Sequence, residues 1–414
     1  MSASSRLSGV DAARGLAVLG MFAVHVGPGA RPSGANYLVL AADGRAPAVF
    51  TLLAGFSLAL AQRQRPDPGP GPVAVPAGVG AGRGGAPGRL RPLLIRCGVL
   101  AALGLSLAAL WPGILVILTF FALYFLAAEP FTRLSTKALA VVAAAGVVVG
   151  PLLSYVLGPL FGVGASGRGA VPDLTDLARG WTGLGDVLRG LLLTGAYPVV
   201  TYLPYVLAGM ALGRLCDVRE KAVARRLALW GAAVAAVAYG SAWLATEVLG
   251  GRQRLLAAIA AHHPEAMAAT DPVRAVLAQQ YGAIPSTSWD WLLLASPYSQ
   301  TPLETLGNAG VGAALIGGFV LLARVRLAAR LLRPLTALGA MALSAYVVHA
   351  LVLAGPANGA ASWGALAAFC AVALVAAWGW QRAWAHSPLR RGPLEHALRL
   401  ATAPRARARA RTGA

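Results

Sequence analysis

Residues 10–27 read VDAARGLAVLGMFAVHVG. Apart from Asp11, Arg14 and His25 the stretch is apolar or small, and a helix of about 20 such residues crosses the hydrocarbon core of a bilayer. An ionisable group inside that core costs about 2.5–3.5 kcal/mol on insertion scales, so each of the three is a functional candidate. Arg14 and His25 are eleven positions apart. In a helix that separation is three turns plus about 20°, with a rise of about 16.5 Å, so both face one side at opposite membrane depths. Asp11, three residues before Arg14, is placed to pair with the guanidinium and orient it.

The rest of the chain repeats the apolar theme. Of its 414 residues 57% are hydrophobic and only 12% charged, against about 25% charged in a soluble domain. Segments long enough to span a membrane lie near 11–29, 46–62, 92–110, 112–128, 137–160, 188–213, 226–249, 304–323, 335–354 and 363–381. The expected fold is therefore all-α, a polytopic transmembrane helical bundle of about ten spans, with residues 1–400 forming a single membrane domain. Trp111-Pro112-Gly113 between the third and fourth segments predicts a helical hairpin, because proline ends a helix and glycine reverses the chain. The polar start MSASSRLSGVD carries no cleavage-site pattern, so the first segment is expected to stay as the first span. Cys97, Cys216 and Cys370 lie in or beside apolar segments without metal-ligand spacing and read as packing residues. No metal is expected, no phosphate-binding glycine loop or nucleophile elbow occurs, and no internal repeat is visible.

Net charge is +20. If the N-terminus is cytoplasmic, the segments on that side hold 25 Arg and Lys and those on the other side eight, which predicts both termini inside. The positive charge then faces anionic lipid, and nucleic acid is not needed as a partner. Residues 63–91 are Pro/Gly-rich and read as a disordered cytoplasmic linker, and residues 401–414 as a basic disordered tail. Residues 250–303 form the one long extracytoplasmic loop, in which LLAAIAAHHPEAM and VRAVLAQQY read as short interfacial helices and Trp289, Trp291 and Tyr298 as an aromatic belt.

His349 lies fifteen residues past Pro334 in the ninth segment, about 22 Å up a helix, and His25 fourteen past Asp11, about 21 Å, so both come out near the outer leaflet. Asp43 and Arg45 precede the second segment and Glu304 and Asn308 open the eighth, at that same face. The topology thus predicts an outward polar cluster of His25, Asp43, Arg45, Glu304, Asn308 and His349, and an inner basic cluster of Arg14, Arg91 and Arg96. In the sixth segment Pro198 and Pro204 predict a kink, Tyr197, Tyr202 and Tyr205 either line a cavity or pack, and Gly209 and Gly213 suggest a helix contact.

RLSGVDAARGLAVLGMFAVHVG, LAGFSLAL, TGAYPVVTYLPYVLAGMALGRL, SPYSQTPLETLGNAG, LGAMALSAYVVHALV and RGPLEHALR together resemble the bacterial heparan-alpha-glucosaminide N-acetyltransferase-like membrane proteins and the related YeiB-like family. The Arg14–His25 spacing is similar to the first helix of the broader membrane acyltransferase superfamily that acylates cell-surface glycans. The resemblance implies ten or eleven helices in a bacterial cell membrane, acetyl-CoA or another acyl-CoA on the cytoplasmic side, and a glycan or other hydroxyl or amine acceptor on the far side. Where the family pattern leads one to expect His-Gly-Arg, this chain has Asp43-Gly44-Arg45, which leaves His25 or Asp43 to act as base. Acyl transfer needs a base, donors for the developing oxyanion and cations for the CoA phosphates. On that reading His25, Asp43, His349 and Asn308 are the catalytic candidates. Arg14, Arg96 and Asp11 serve the acyl-CoA, and Arg45 and Glu304 the acceptor. The competing class is a permease or lipid-handling protein whose His and Arg residues line a path without covalent chemistry.

Overall fold

A computed structural model describes residues 7–29, 36–63, 87–110, 112–161, 171–279, 282–355 and 361–403. The linker and tail readings fall largely on residues 64–86 and 404–414, outside the described residues. Among the described residues all regular structure is helical. The labelled helices are α1 (Ser8–Val26), α2 (Arg45–Arg63), α3 (Pro87–Ala109), α4 (Leu118–Ala128), α5 (Thr136–Leu157) and α6 (Val199–Leu215). The second half adds α7 (Lys221–Trp243), α8 (Pro302–Leu322), α9 (Arg333–Ala340), α10 (Ala342–Leu353), α11 (Trp363–Ala383) and α12 (Pro393–Ala401). Among the described residues seven helices are long and apolar enough to cross a membrane, or up to nine if two bent pairs each count as one span. The protein is a multi-pass membrane protein.

One of the two bends lies where the sequence supplies a breaker. Gly180–Thr194 meets α6 at 56° across Gly195–Pro198, where Pro198 has no N–H to continue the ladder. Pairing α9 with α10 gives 82° at Met341, so the ninth segment is not the straight rod expected from its length. The third and fourth segments pack as the expected helical hairpin, Gly104 lying against Thr119, but the connection is longer than a tight turn: helix begins only at Leu118, and residues 114–117 enter as irregular chain. That chain is still tied down, because the Ile117 amide donates to the Tyr346 hydroxyl at 3.1 Å. At its far end Arg214 of α6 donates to the carbonyls of Leu134 and Thr132, each at 2.7 Å, and to Gln62 at 3.2 Å. The segment therefore runs from beside Tyr346 of α10 to the ends of α2 and α6. That end also carries Arg63 and is called here the arginine-rich end.

In lipid the apolar side chains gain little by leaving the solvent, so close contact of small residues carries the packing. Gly209 of α6 lies against Leu52 and Phe56 of α2, and Gly213 against Phe56 and Ala59, as their spacing suggested. A Cβ at Gly310 of α8 would sit 2.6 Å from Ala235 N and 2.7 Å from Gly231 O of α7. Gly310→Ala must push α7 and α8 apart. The expected cost is about 1–3 kcal/mol, read as a lower melting midpoint in detergent, and an unchanged melt would contradict the contact.

Residues 250–303 are more than a loop. Helices Gly251–His262 and Pro272–Gln279 form where expected and enclose a second core of Leu255, Ile259, Val276, Ile284 and Trp291, which also packs on Tyr155 of α5. Trp291 is fully buried there and Tyr298 faces a cavity, so of the expected aromatic belt only Trp289 is exposed. Arg254 pairs with Asp290 at 2.8 Å and holds its carboxyl below the usual carboxylate range. This cap covers the end of the bundle opposite the arginine-rich one.

Candidate functional site

The first-helix residues fall into place one above the other. Asp11, buried, accepts from Arg14 at 2.7 Å, and the same guanidinium donates to the Gly339 carbonyl at 3.1 Å and to Ser57 Oγ at 2.6 Å. Gly339 packs so tightly on Asp11 and Gly15 that no side chain fits, which brings the C-terminal end of α9 onto the first turns of α1. A fork with several fixed donors suits this three-way grip; a lysine ammonium does not.

Arg14 and Arg96 line a cavity of about 300 Å³ at the arginine-rich end, walled mainly by Phe50, Leu100, Ile117, Phe121 and Tyr346. The Arg96 guanidinium stacks on Phe125 at 4.6 Å, and among the described residues no carboxylate pairs with it. Glu395 of α12 also reaches this cavity. Its carboxylate accepts from the Leu343 amide at 2.8 Å and from Ser344 Oγ at 2.5 Å, capping α10. Burial raises its carboxyl above the usual range against the pull of those donors. Arg91, expected beside Arg14 and Arg96, is not on the cavity wall.

At the capped end a second cavity, about 430 Å³, is bordered by Asp43, Arg45, Tyr239, Arg274, Asp271 and Tyr298. Asp43 accepts from Arg274 of the cap at 2.9 Å. Arg45 donates to the Tyr239 hydroxyl at 3.0 Å while its guanidinium lies 4.7 Å from that ring. Tyr239 in turn donates to Asn308 Oδ1 at 2.7 Å, and Asn308 Nδ2 donates to the Tyr205 hydroxyl at 3.1 Å. Glu304 is buried below this chain, its carboxylate taken up by the Tyr298–Gln300 backbone.

Between the two cavities His25 borders a gap of about 10 Å³, walled by Pro47, Leu115, Ile117, Tyr197, Tyr298 and Tyr346. That is room for about one water molecule. Ile117 and Tyr346 belong also to the arginine-rich cavity, and Tyr298 to the capped one. His25 Nδ1 lies 2.9 Å from His349 Nε2. His349 is buried, stacked on Phe22 with ring centroids 4.4 Å apart, and lines none of the three spaces.

The expected outward cluster is thus two groups. His25 and His349 form a pair at the gap, and Asp43, Arg45, Asn308 and Glu304 form a network at the capped cavity. Sequence reasoning missed Arg274, Tyr239, Ser57, Glu395 and Tyr346. Tyr346 had a signal: it lies three residues before His349, on one helix face. Arg274 and Tyr239 had none, because only the folded cap and the α7–α8 contact bring them in. The tyrosines of the sixth segment divide: Tyr197, just before α6, lines the gap, whereas Tyr202 packs parallel to Tyr124 at 6.0 Å. Among the described residues no group of His, Cys, Asp or Glu has the arrangement to hold a metal ion.

A family model described as heparan-alpha-glucosaminide N-acetyltransferase, catalytic, matches residues 6–249. A second, described as a protein of unknown function (DUF418), matches residues 251–405. No curated protein and no solved structure matches the chain. The two matched regions meet where the cap begins, and the candidate site straddles them: His25 comes from the first and His349 from the second.

Proposed function

We infer that this chain, which belongs to the family of the heparan-alpha-glucosaminide N-acetyltransferase catalytic domain, moves an acetyl or other short acyl group from acyl-CoA to an amine or hydroxyl acceptor. The observation that carries the reading is the order of the three spaces, with an arginine-lined cavity and a polar capped cavity meeting at His25. The arginine-rich end is taken as cytoplasmic, following the charge count. Acyl-CoA fits the apolar cavity there by its acyl-pantetheine end, with Arg96 and Arg14 toward its phosphates. A gap that holds about one water suits the transfer of a small acyl group better than the passage of a whole solute.

In the proposed step the acceptor enters from the capped cavity, where Asp43, Arg45 and Arg274 offer charged partners. Its nitrogen or oxygen bonds to the thioester carbonyl carbon, and His25 Nε2 takes the proton, Nδ1 being engaged by His349. As the C–S bond breaks, His25 returns that proton to the departing CoA thiolate. The Tyr346 hydroxyl, which accepts from Ile117 and keeps its own proton to give, donates to the carbonyl oxygen as charge builds on it. Glu304 and Asn308 hold the surrounding loop and hydroxyls in place, and His349 acts through His25.

Two tests follow from this geometry. Arg14→Lys keeps the charge but cannot reach Asp11, Gly339 and Ser57 together, so acetyl-CoA binding to purified protein is expected to weaken about tenfold. Unchanged affinity for both Arg14→Lys and Arg14→Ala in folded protein would leave Arg14 as Asp11's structural partner. For orientation, cysteine labelling at positions 75 and 400 should report the cytoplasm and at position 270 the exterior. External labelling at 400 would exchange the donor and acceptor sides.

A further inference from the structure

Among the described residues Tyr298 alone lines both the capped cavity and the His25 gap. Its backbone is unusual: φ is 61° at Tyr298 and 54° at Gln300, the left-handed region that non-glycine residues rarely occupy. The conformation is held from below, where the Glu304 carboxylate accepts the Tyr298 amide at 3.1 Å, the Gln300 amide at 2.5 Å and Ser299 Oγ–H at 3.1 Å. Gln300 Nε2 donates to the Ala196 carbonyl at 2.9 Å, next to Tyr197 of the gap. From above, Gly44 presses on the same residues, since a Cβ there would sit 2.9 Å from Pro297 Cα and Tyr298 N. Backbone held away from its preferred region by this many partners is characteristic of positions where one orientation matters.

Resting on the acyl-transfer reading, we propose that Tyr298 is a water gate. Its ring separates the acyl thioester beside His25 from the solvent of the capped cavity until an acceptor replaces that solvent. The reaction it suppresses is hydrolysis: water oxygen bonds to the carbonyl carbon, the C–S bond breaks, and the proton passes through His25 to the CoA thiolate, leaving the free carboxylic acid. Water and acceptor compete for the same carbon, so a transferase that binds its donor before its acceptor needs this exclusion.

The test removes the ring without burdening the backbone. Glycine takes a positive φ freely, so Tyr298→Gly relieves strain where it deletes the side chain. Tyr298→Asn, also tolerated in the left-handed region, serves as a second ringless variant. Release of labelled acetate from acetyl-CoA is measured without acceptor and normalised to bound acetyl-CoA. The expected result is a rise of about tenfold or more in both ringless variants, the wild-type rate in Tyr298→Phe, and loss of the rise when His25→Ala is added. Ringless variants that bind acetyl-CoA and hydrolyse it no faster than wild type, or not at all, overturn the gate alone. Wild-type protein that binds no acetyl-CoA overturns the proposed function, and the gate with it.

Discussion

His25→Ala is expected to lower turnover by about 10²–10⁴-fold, the usual contribution of a positioned general acid–base group. Acetyl-CoA binding should survive, because the cavity proposed for the donor, lined by Arg14 and Arg96, does not include His25 in its wall. The fold should survive too, since the imidazole borders a gap rather than filling a packed site. His349 differs. It is buried between Phe22 and Phe369 and touches the reaction only through His25, so His349→Ala is expected to lower turnover less and to destabilise more. His349→Gln, which keeps a polar group facing His25, should recover part of the turnover. Turnover and a thermal melt on the same preparations read both effects. A folded His25→Ala protein with full activity would reject the base assignment and return weight to Asp43.

Tyr346→Phe is expected to cost about 10²-fold in turnover with little change in donor affinity, the loss typical of removing one oxyanion donor. The substitution deletes one oxygen and leaves the ring, so the packing around α10 is kept. Its single structural consequence is at the Ile117 amide, which loses its acceptor. That loss predicts a modest drop in stability of about 1–3 kcal/mol, the range for a buried donor left unsatisfied. Because a purely structural role would move the melt and not the turnover of folded protein, the two readouts separate the roles. Equal turnover of Tyr346→Phe and wild type would remove the hydroxyl from the mechanism.

What the sequence made legible is what helix periodicity governs. The alignment of Arg14 below His25, and of Asp11 beside Arg14, needs only 3.6 residues per turn, and the structure has Asp11 and Arg14 paired and His25 beyond them. Two depths measured along helices put His25 and His349 at one level, but their meeting at 2.9 Å is set by the fold, in which the ninth segment turns sharply at Met341. The illegible part lies where chain leaves regular structure. Nothing in Leu115 and Ile117 announces that residues 114–117 enter the bundle as irregular chain beside His25. Nothing in SPYSQ announces two left-handed residues, because the cause is Glu304 gathering their amides from the following helix. Arg274 reaches Asp43 across 231 positions through the folding of the cap, a contact no local pattern encodes.

On the proposed mechanism an acyl group passes at His25 between cavities opening toward opposite faces. This transfer is tested most directly in proteoliposomes, with labelled acetyl-CoA confined to the face that carries position 400 and glucosamine, as a probe acceptor, confined to the other. Labelled N-acetyl product is expected on the acceptor face, with unlabelled CoA left behind and no product from His25→Ala. Product formed only when both substrates share one face, or label crossing equally in wild type and His25→Ala, would contradict that mechanism.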